Sequence, residues 1–296
     1  MLYRVCCRAW APLWVCCALV ACAPKEESNQ ELTETESLSP AEKGLERVVY
    51  SLPSPTQVVA LLKQSGARYE KGILNPDAKA SRYTASHQQA LNLGVYGADL
   101  AFASAFGQNQ DAIRYYLAVQ KVATPLGLSS VFTPELLRRV EAQKTQPDSL
   151  SALAATVYRK SNARLKANGQ DDIAALILVG GWVEGLYLAT QLYQLAPSEA
   201  LAQQIVGQKL AYENVAALLG EAKPTENEAL AEVLASLKAV ETAFAPVGFD
   251  YSLKSITTDS TRRMTRIDNA SKATYTAADL AAIARATAET RNLIVR

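Results

Sequence analysis

The spacing of apolar residues constrains the fold of this chain more than any other sequence feature. From residue 51 onward, alanine, leucine and valine recur at intervals of three and four, the period of one face of an α-helix. Helix start signals and glycine or proline stop signals divide this pattern into about nine segments. Alternation of apolar and polar residues is too brief for a sheet, and at most a short strand is predicted near residues 251–256. The sequence therefore predicts an all-α protein.

Capping and breaking residues set the bounds of the predicted helices. Ser54-Pro55 opens the first, with Gln57 at the capping-box position, and Gly66 ends it. Thr276-Ala277-Ala278-Asp279 opens the last. The others are predicted from residue 84 or 86 to 107, over 111–123, from 133 onward, and over 148–169, 171–195, 198–220 and 225–244. Because their connections are short, we expect neighbouring helices to pack antiparallel.

Two glycine-aromatic segments echo each other within the helical region. Gly94-Val95-Tyr96 and Gly180-Gly181-Trp182 lie at a constant offset of 86 residues. One interpretation is a tandem pair of four-helix units followed by a C-terminal helix. The other is chance, because alanine-rich helices resemble one another easily.

The first 22 residues have the pattern of an export signal. Arg4 and Arg8 precede an apolar run over residues 9–21, after which the composition turns polar and acidic. Leu19-Val20-Ala21-Cys22 resembles the lipobox of bacterial lipoproteins. The resemblance implies a signal peptide over residues 1–21, removed before Cys22, and acylation of Cys22 by diacylglycerol and a further chain such as palmitate. A plain secretory signal is the alternative.

The chain after Cys22 is expected to be a tether and then a domain. Residues 22–50 form the lipidated N-terminus and a flexible acidic leash, and residues 51–296 form the helical domain. All five cysteines lie within the first 22 residues, so the domain has no disulfide or thiol chemistry. With 30 basic and 29 acidic residues, the chain has no charge excess that would bind nucleic acid. We expect a location in the bacterial envelope, at the periplasmic face of the outer membrane or on the cell surface.

Two acids in apolar helices are the main candidates for chemistry. Asp99 follows the first glycine-aromatic segment and Glu184 follows the second. If the two helices face each other, the acids could line a cleft with Tyr96 and Trp182, as in a carbohydrate-active enzyme or a ligand site. The alternative is structural: the glycines let helices approach closely and the acids accept hydrogen bonds.

The remaining candidates favour binding over catalysis. Basic residues, among them Arg262, Arg263 and Arg266, accumulate in a stretch after Phe249 that is expected to be irregular, either a solvated loop or a site for an anionic partner. His87 is the only histidine, and no metal, cofactor or nucleophile motif is present. The sequence therefore favours a lipid-anchored helical module that binds an envelope protein or a small ligand and has no enzymatic activity.

Overall fold

The computed structural model describes residues 62–64, 66–143, 157, 160–161, 163–221, 228–259 and 264–296. The predicted signal peptide, Cys22 and the predicted tether lie outside these residues, as does most of the helix predicted over 54–66. Within the described parts the chain is mostly helical, as the sequence predicts.

Seven helices of ten residues or more and one β-hairpin form the described body. In chain order they are α1 (Ser86–Ala105), α2 (Asn109–Ala123), α3 (Pro134–Gln143), α4 (Asp171–Leu195), α5 (Glu199–Glu221), α6 (Glu228–Phe244), β1 (Gly248–Asp259), β2 (Met264–Thr274) and α7 (Ala277–Val295). Two short 3-10 helices, Lys71–Ile73 and Asp77–Ser81, precede α1.

The caps read from the sequence set several of these bounds. Thr276 Oγ1 accepts a hydrogen bond from the Asp279 backbone N–H at 3.2 Å, and the Asp279 carboxylate accepts one from the Thr276 N–H at 2.8 Å. This capping box satisfies two backbone donors at the start of α7. Gly107 and Gly169 have φ of +70° and +69° in the turns after α1 and before α4, where glycine avoids the strain of a left-handed backbone.

Helix α4 lies at the centre of the packing. It contacts α1, α5 and α7, while α2 covers α1 and α6 covers α7. By length and composition, residues 172–195 of α4 are apolar enough to cross a membrane, but 83% of the apolar window is buried inside the protein. Burial against the other helices accounts for the hydrophobicity of α4.

The stretch after Phe249 differs from its prediction. The short strand predicted near residues 251–256 lies within β1, but the rest is not an irregular loop: β1 and β2 pair antiparallel from Gly248 and Thr274 to Asp259 and Met264. The sequence does not signal this hairpin because β2 has few apolar residues and a register shift between Leu253 and Ser255 interrupts the alternation in β1. Backbone hydrogen bonds hold the two strands together, and these bonds do not depend on which side chains the strands carry.

Candidate functional site

Two glycines bring α1 and α4 into backbone contact. A Cβ atom on Gly94 would overlap the carbonyl oxygen of Ile177, and one on Gly180 would overlap the carbonyl oxygen of Leu91. No side-chain movement could relieve these overlaps, since the obstructing atoms belong to the backbone. The structural interpretation of the glycines is therefore confirmed: they permit the close crossing of the two helices.

Glu184 lies just beyond this crossing and forms a buried ion pair with α7. The Arg291 Nε donates to Glu184 Oε2 at 3.0 Å, and Arg291 Nη2 donates to Oε1 at 3.1 Å. The Glu184 side chain is fully buried and that of Arg291 is 9% exposed. The guanidinium also lies 4.6 Å from the centroid of the Tyr187 ring, in cation–π geometry. Both charges are thus compensated within the core.

Asp99 reaches the same pocket from α1 but has a different environment. It is fully buried, and its Oδ2 accepts a hydrogen bond from the backbone N–H of Asn75 at 3.2 Å. Its Oδ1 has no donor among the described residues, while the Glu184 carboxyl lies within hydrogen-bonding reach. Asp99 therefore faces another acid and one neutral N–H group.

The two environments affect the pKa values of Asp99 and Glu184 differently. Burial and the Glu184 charge raise the pKa of Asp99 well above its usual range, although Arg291 acts in the opposite direction. Burial also raises the pKa of Glu184, but Arg291 and the hydrogen bond from Asp99 favour its ionised form. Two adjacent carboxylates would repel each other in this buried site. Of the two acids, Asp99 therefore has the stronger tendency to be neutral, with the Glu184 carboxylate within reach of its O–H.

A polar network fixes the end of α7 beside the acid pair. Asn92 Nδ2 donates to the Ile294 carbonyl at 2.9 Å, and Lys79 Nζ donates to the Val295 carbonyl at 2.9 Å. The Tyr83 hydroxyl also donates to the Val295 carbonyl, at 3.3 Å. These bonds satisfy carbonyls that a helix C-terminus leaves unpaired. They anchor the last turn of α7, the helix that carries Arg291, beside the acid pair.

The two predicted aromatic residues lie in the core and have different partners. Tyr96 is fully buried, and its hydroxyl donates to the Pro76 carbonyl at 3.0 Å. Trp182 is 6% exposed; its Nε1 donates to Gln208 Oε1 at 3.1 Å, and its ring packs against Tyr212. The structure thus brings the two acids together, but it leaves neither ring with an open face on which a sugar could stack.

Arg291 and Asn75 complete the site and were not identified from the sequence. Arg291 interrupts the apolar stripe that Leu280, Ile283 and Ile294 form on α7, and a lone cation at that spacing is a usable signal for a buried partner. Asn75 binds Asp99 through its backbone N–H, so its residue type carries no signal.

Other predicted residues fall outside what the structure describes. Cys22, Arg262 and Arg263 lie there, and Arg266 pairs with Thr257 in the hairpin, where side chains are not described. Within the described ranges, no group of three or more histidine, cysteine, aspartate and glutamate side chains could hold a metal ion. Comparisons with protein families, with curated proteins and with solved structures found no match.

Proposed function

We propose that this protein is a lipid-anchored helical module of the bacterial envelope that acts by binding rather than by catalysis. The observation that carries the proposal is the lipobox, Leu19-Val20-Ala21-Cys22, at the end of an export signal. In this proposal Cys22 is acylated, and the residues up to about 50 connect the lipid to the helical body. Two or more acyl chains are needed because a single chain anchors only marginally.

The buried acid pair supports the noncatalytic part of the proposal. Glu184 is bound by Arg291, and Asp99 is enclosed by Asn75 and Glu184, with no exposed surface on either acid. A glycosidase needs two carboxyls that reach the sugar from opposite sides of the scissile bond. Here both Glu184 oxygens are bound by Arg291 and neither carboxyl is exposed to a substrate.

The alternative, a carbohydrate-active enzyme, retains one supporting observation: the predicted acids are neighbours. It requires α7 to move away so that Arg291 releases Glu184. Activity on glycans that Asp99→Asn and Glu184→Gln both abolish, with the fold retained, would favour the enzyme over the binding module.

Acyl labelling of Cys22 tests the proposal directly. The full-length chain is expressed in a bacterium supplied with an alkyne-tagged palmitate, and label in the protein band is measured. We expect the parent chain to be labelled and Cys22→Ala to lose the label and remain unprocessed, because its thiol is the predicted acceptor.

Cys17→Ala is the matched control. It removes a cysteine five residues earlier in the same apolar run, and we expect labelling and processing to continue. Equal labelling of the Cys22→Ala variant, or no labelling of the parent chain, would contradict the proposed anchor.

A further inference from the structure

Helix α2 presents an exposed stripe of two aliphatic and two cationic side chains. Ile113 is 46% exposed and Leu117 is 57% exposed. Arg114 and Lys121 are exposed beside them. Residues 113, 117 and 121 follow at intervals of four, and 114 and 117 at an interval of three, so all four share one face of the helix. We call Ile113, Arg114, Leu117 and Lys121 the α2 stripe.

The stripe is positively charged. Its nearest acid, Asp111, is already bound by Lys71 Nζ at 2.7 Å and by the Tyr69 hydroxyl at 2.9 Å, with Arg114 Nη2 at 3.5 Å. Asp111 is the only acid on α2, and Lys121, ten residues further on, has no ion pair among the described residues. Arg164, whose Nε donates to the Gly127 carbonyl at 3.4 Å, adds a cation beside the connection that follows α2.

We propose that the α2 stripe is a docking surface for an anionic lipid bilayer. Ile113 and Leu117 enter the headgroup layer, while Arg114 and Lys121 bind lipid phosphates. Exposed aliphatic side chains flanked by cations are the pattern of an interfacial helix. A docking surface for protein would gain less from Lys121, since lysine is depleted at protein interfaces.

The end of the described chain that leads to the predicted anchor lies close to this helix. Lys63 Nζ donates to the Ala105 carbonyl at 2.8 Å, in the last turn of α1 and just before α2 begins. A stripe of four side chains binds a membrane weakly by itself. The inference rests on the proposed anchor, because a tether converts weak docking into an intramolecular event at high effective concentration.

Leu210 on α5 provides a control surface within the same chain. It is 45% exposed, close to the exposure of Ile113. Its neighbour on the same face, three residues on, is the exposed acid Glu213. A label at Leu210 therefore reports on an exposed leucine beside an acid, since the adjacent Lys209 is bound to the carbonyls of Ala245 and Val247.

The test places an environment-sensitive fluorophore at a single engineered cysteine. Full-length protein with Leu117→Cys or Leu210→Cys is labelled with a nitrobenzoxadiazole dye. The unsubstituted chain is treated in the same way, to measure any label attached at other positions. Each protein is reconstituted into vesicles of phosphatidylcholine alone or with phosphatidylglycerol. We expect emission at position 117 to shift to the blue and rise about twofold with the anionic lipid, as for side chains entering an interface. Emission at 210 should not change, and Lys121→Glu should reduce the response at 117.

Three results would overturn the inference. These are no response at 117, an equal response at 117 and 210, or a response at 117 that follows protein density rather than lipid charge, which would indicate contact between copies. Mass spectrometry of the N-terminal peptide shows separately whether Cys22 carries acyl chains. A lipid-free peptide with a response at 117 would refute the proposed function alone, whereas a lipidated peptide with no response would refute the docking surface alone.

Discussion

Asp99 and Glu184 follow two similar sequence segments, one residue out of register at the 86-residue offset, and the fold treats them differently. Each follows a glycine at the α1–α4 crossing, and each is fully buried. Glu184 has a guanidinium bound to both carboxyl oxygens, whereas Asp99 has a backbone N–H and the other acid. The ion pair with Arg291 of α7 is therefore what distinguishes the environments of the two acids. Similar sequence segments do not imply similar protonation.

Removing Arg291 should have the largest effect, because it leaves Glu184 without its counter-ion. We expect Arg291→Met to lower the free energy of unfolding by about 3–5 kcal/mol, the range for breaking a buried ion pair. Urea denaturation at pH 7 measures this loss. The loss should shrink at pH 4, where Glu184 can take up a proton and the uncompensated charge disappears.

Arg296→Met is the matched control. Arg296 pairs with Glu232 on the surface, with side chains 51% and 49% exposed, and such pairs contribute about 0–1 kcal/mol. A similar loss for both arginine variants would remove the distinction between the buried and the exposed pair.

Closing the space at the helix crossing should have the next largest effect. Gly180→Ala places a Cβ against the Leu91 backbone, so α1 and α4 must separate and the acid pair with them. We expect a loss of about 3 kcal/mol by thermal or urea unfolding. Gly185→Ala on the same helix meets nothing within 4 Å and should be neutral or more stable by up to about 1 kcal/mol. Equal losses would show that helix packing at Gly180 is not special.

The ring beside Arg291 should contribute least. Tyr187→Leu keeps an apolar side chain but removes the π face that lies 4.6 Å from the guanidinium. We expect a loss of about 1 kcal/mol, measured by urea unfolding against Tyr193→Leu, a half-buried tyrosine on the same helix. If Tyr187→Leu loses less stability than Tyr193→Leu, the cation–π contact between Arg291 and Tyr187 contributes no stability, contrary to this prediction.

The helices could largely be predicted from the sequence, whereas the site could be predicted only in part. Caps such as Thr276 and breakers such as Gly169 act locally, so their residue types determine where helices begin and end. Asp99 and Glu184 stand out because acids are rare in apolar helices. Their partners could not be assigned, since pairing with Arg291 depends on which helices cross.

The hairpin and the Asn75 contact were beyond prediction for a shared physical reason. Both depend on backbone N–H and C=O groups, which every residue except proline offers equally. The tandem duplication stays a prediction, because the residues around 144–156 that it requires lie outside the described ranges.

The most direct test of the account compares the two amide substitutions across pH. Because Asp99 has a raised pKa in the folded state, the unfolded chain releases its proton first as pH rises above its ordinary range. Folding then loses stability by up to about 1.4 kcal/mol per pH unit until Asp99 also ionises in the folded state. The side-chain amide of the Asp99→Asn variant would donate to Glu184 and accept from Asn75 without titrating.

We therefore expect Asp99→Asn to be at least as stable as the parent at pH 7–8, with an advantage that grows from about pH 4 upward. Glu184→Gln should be less stable than the parent throughout pH 5–9, because Arg291 loses its charged partner. Urea unfolding of the three proteins at each pH gives both results. Equal losses for the two variants, or a loss in Asp99→Asn that does not change with pH, would contradict a protonated Asp99 beside an ionised Glu184.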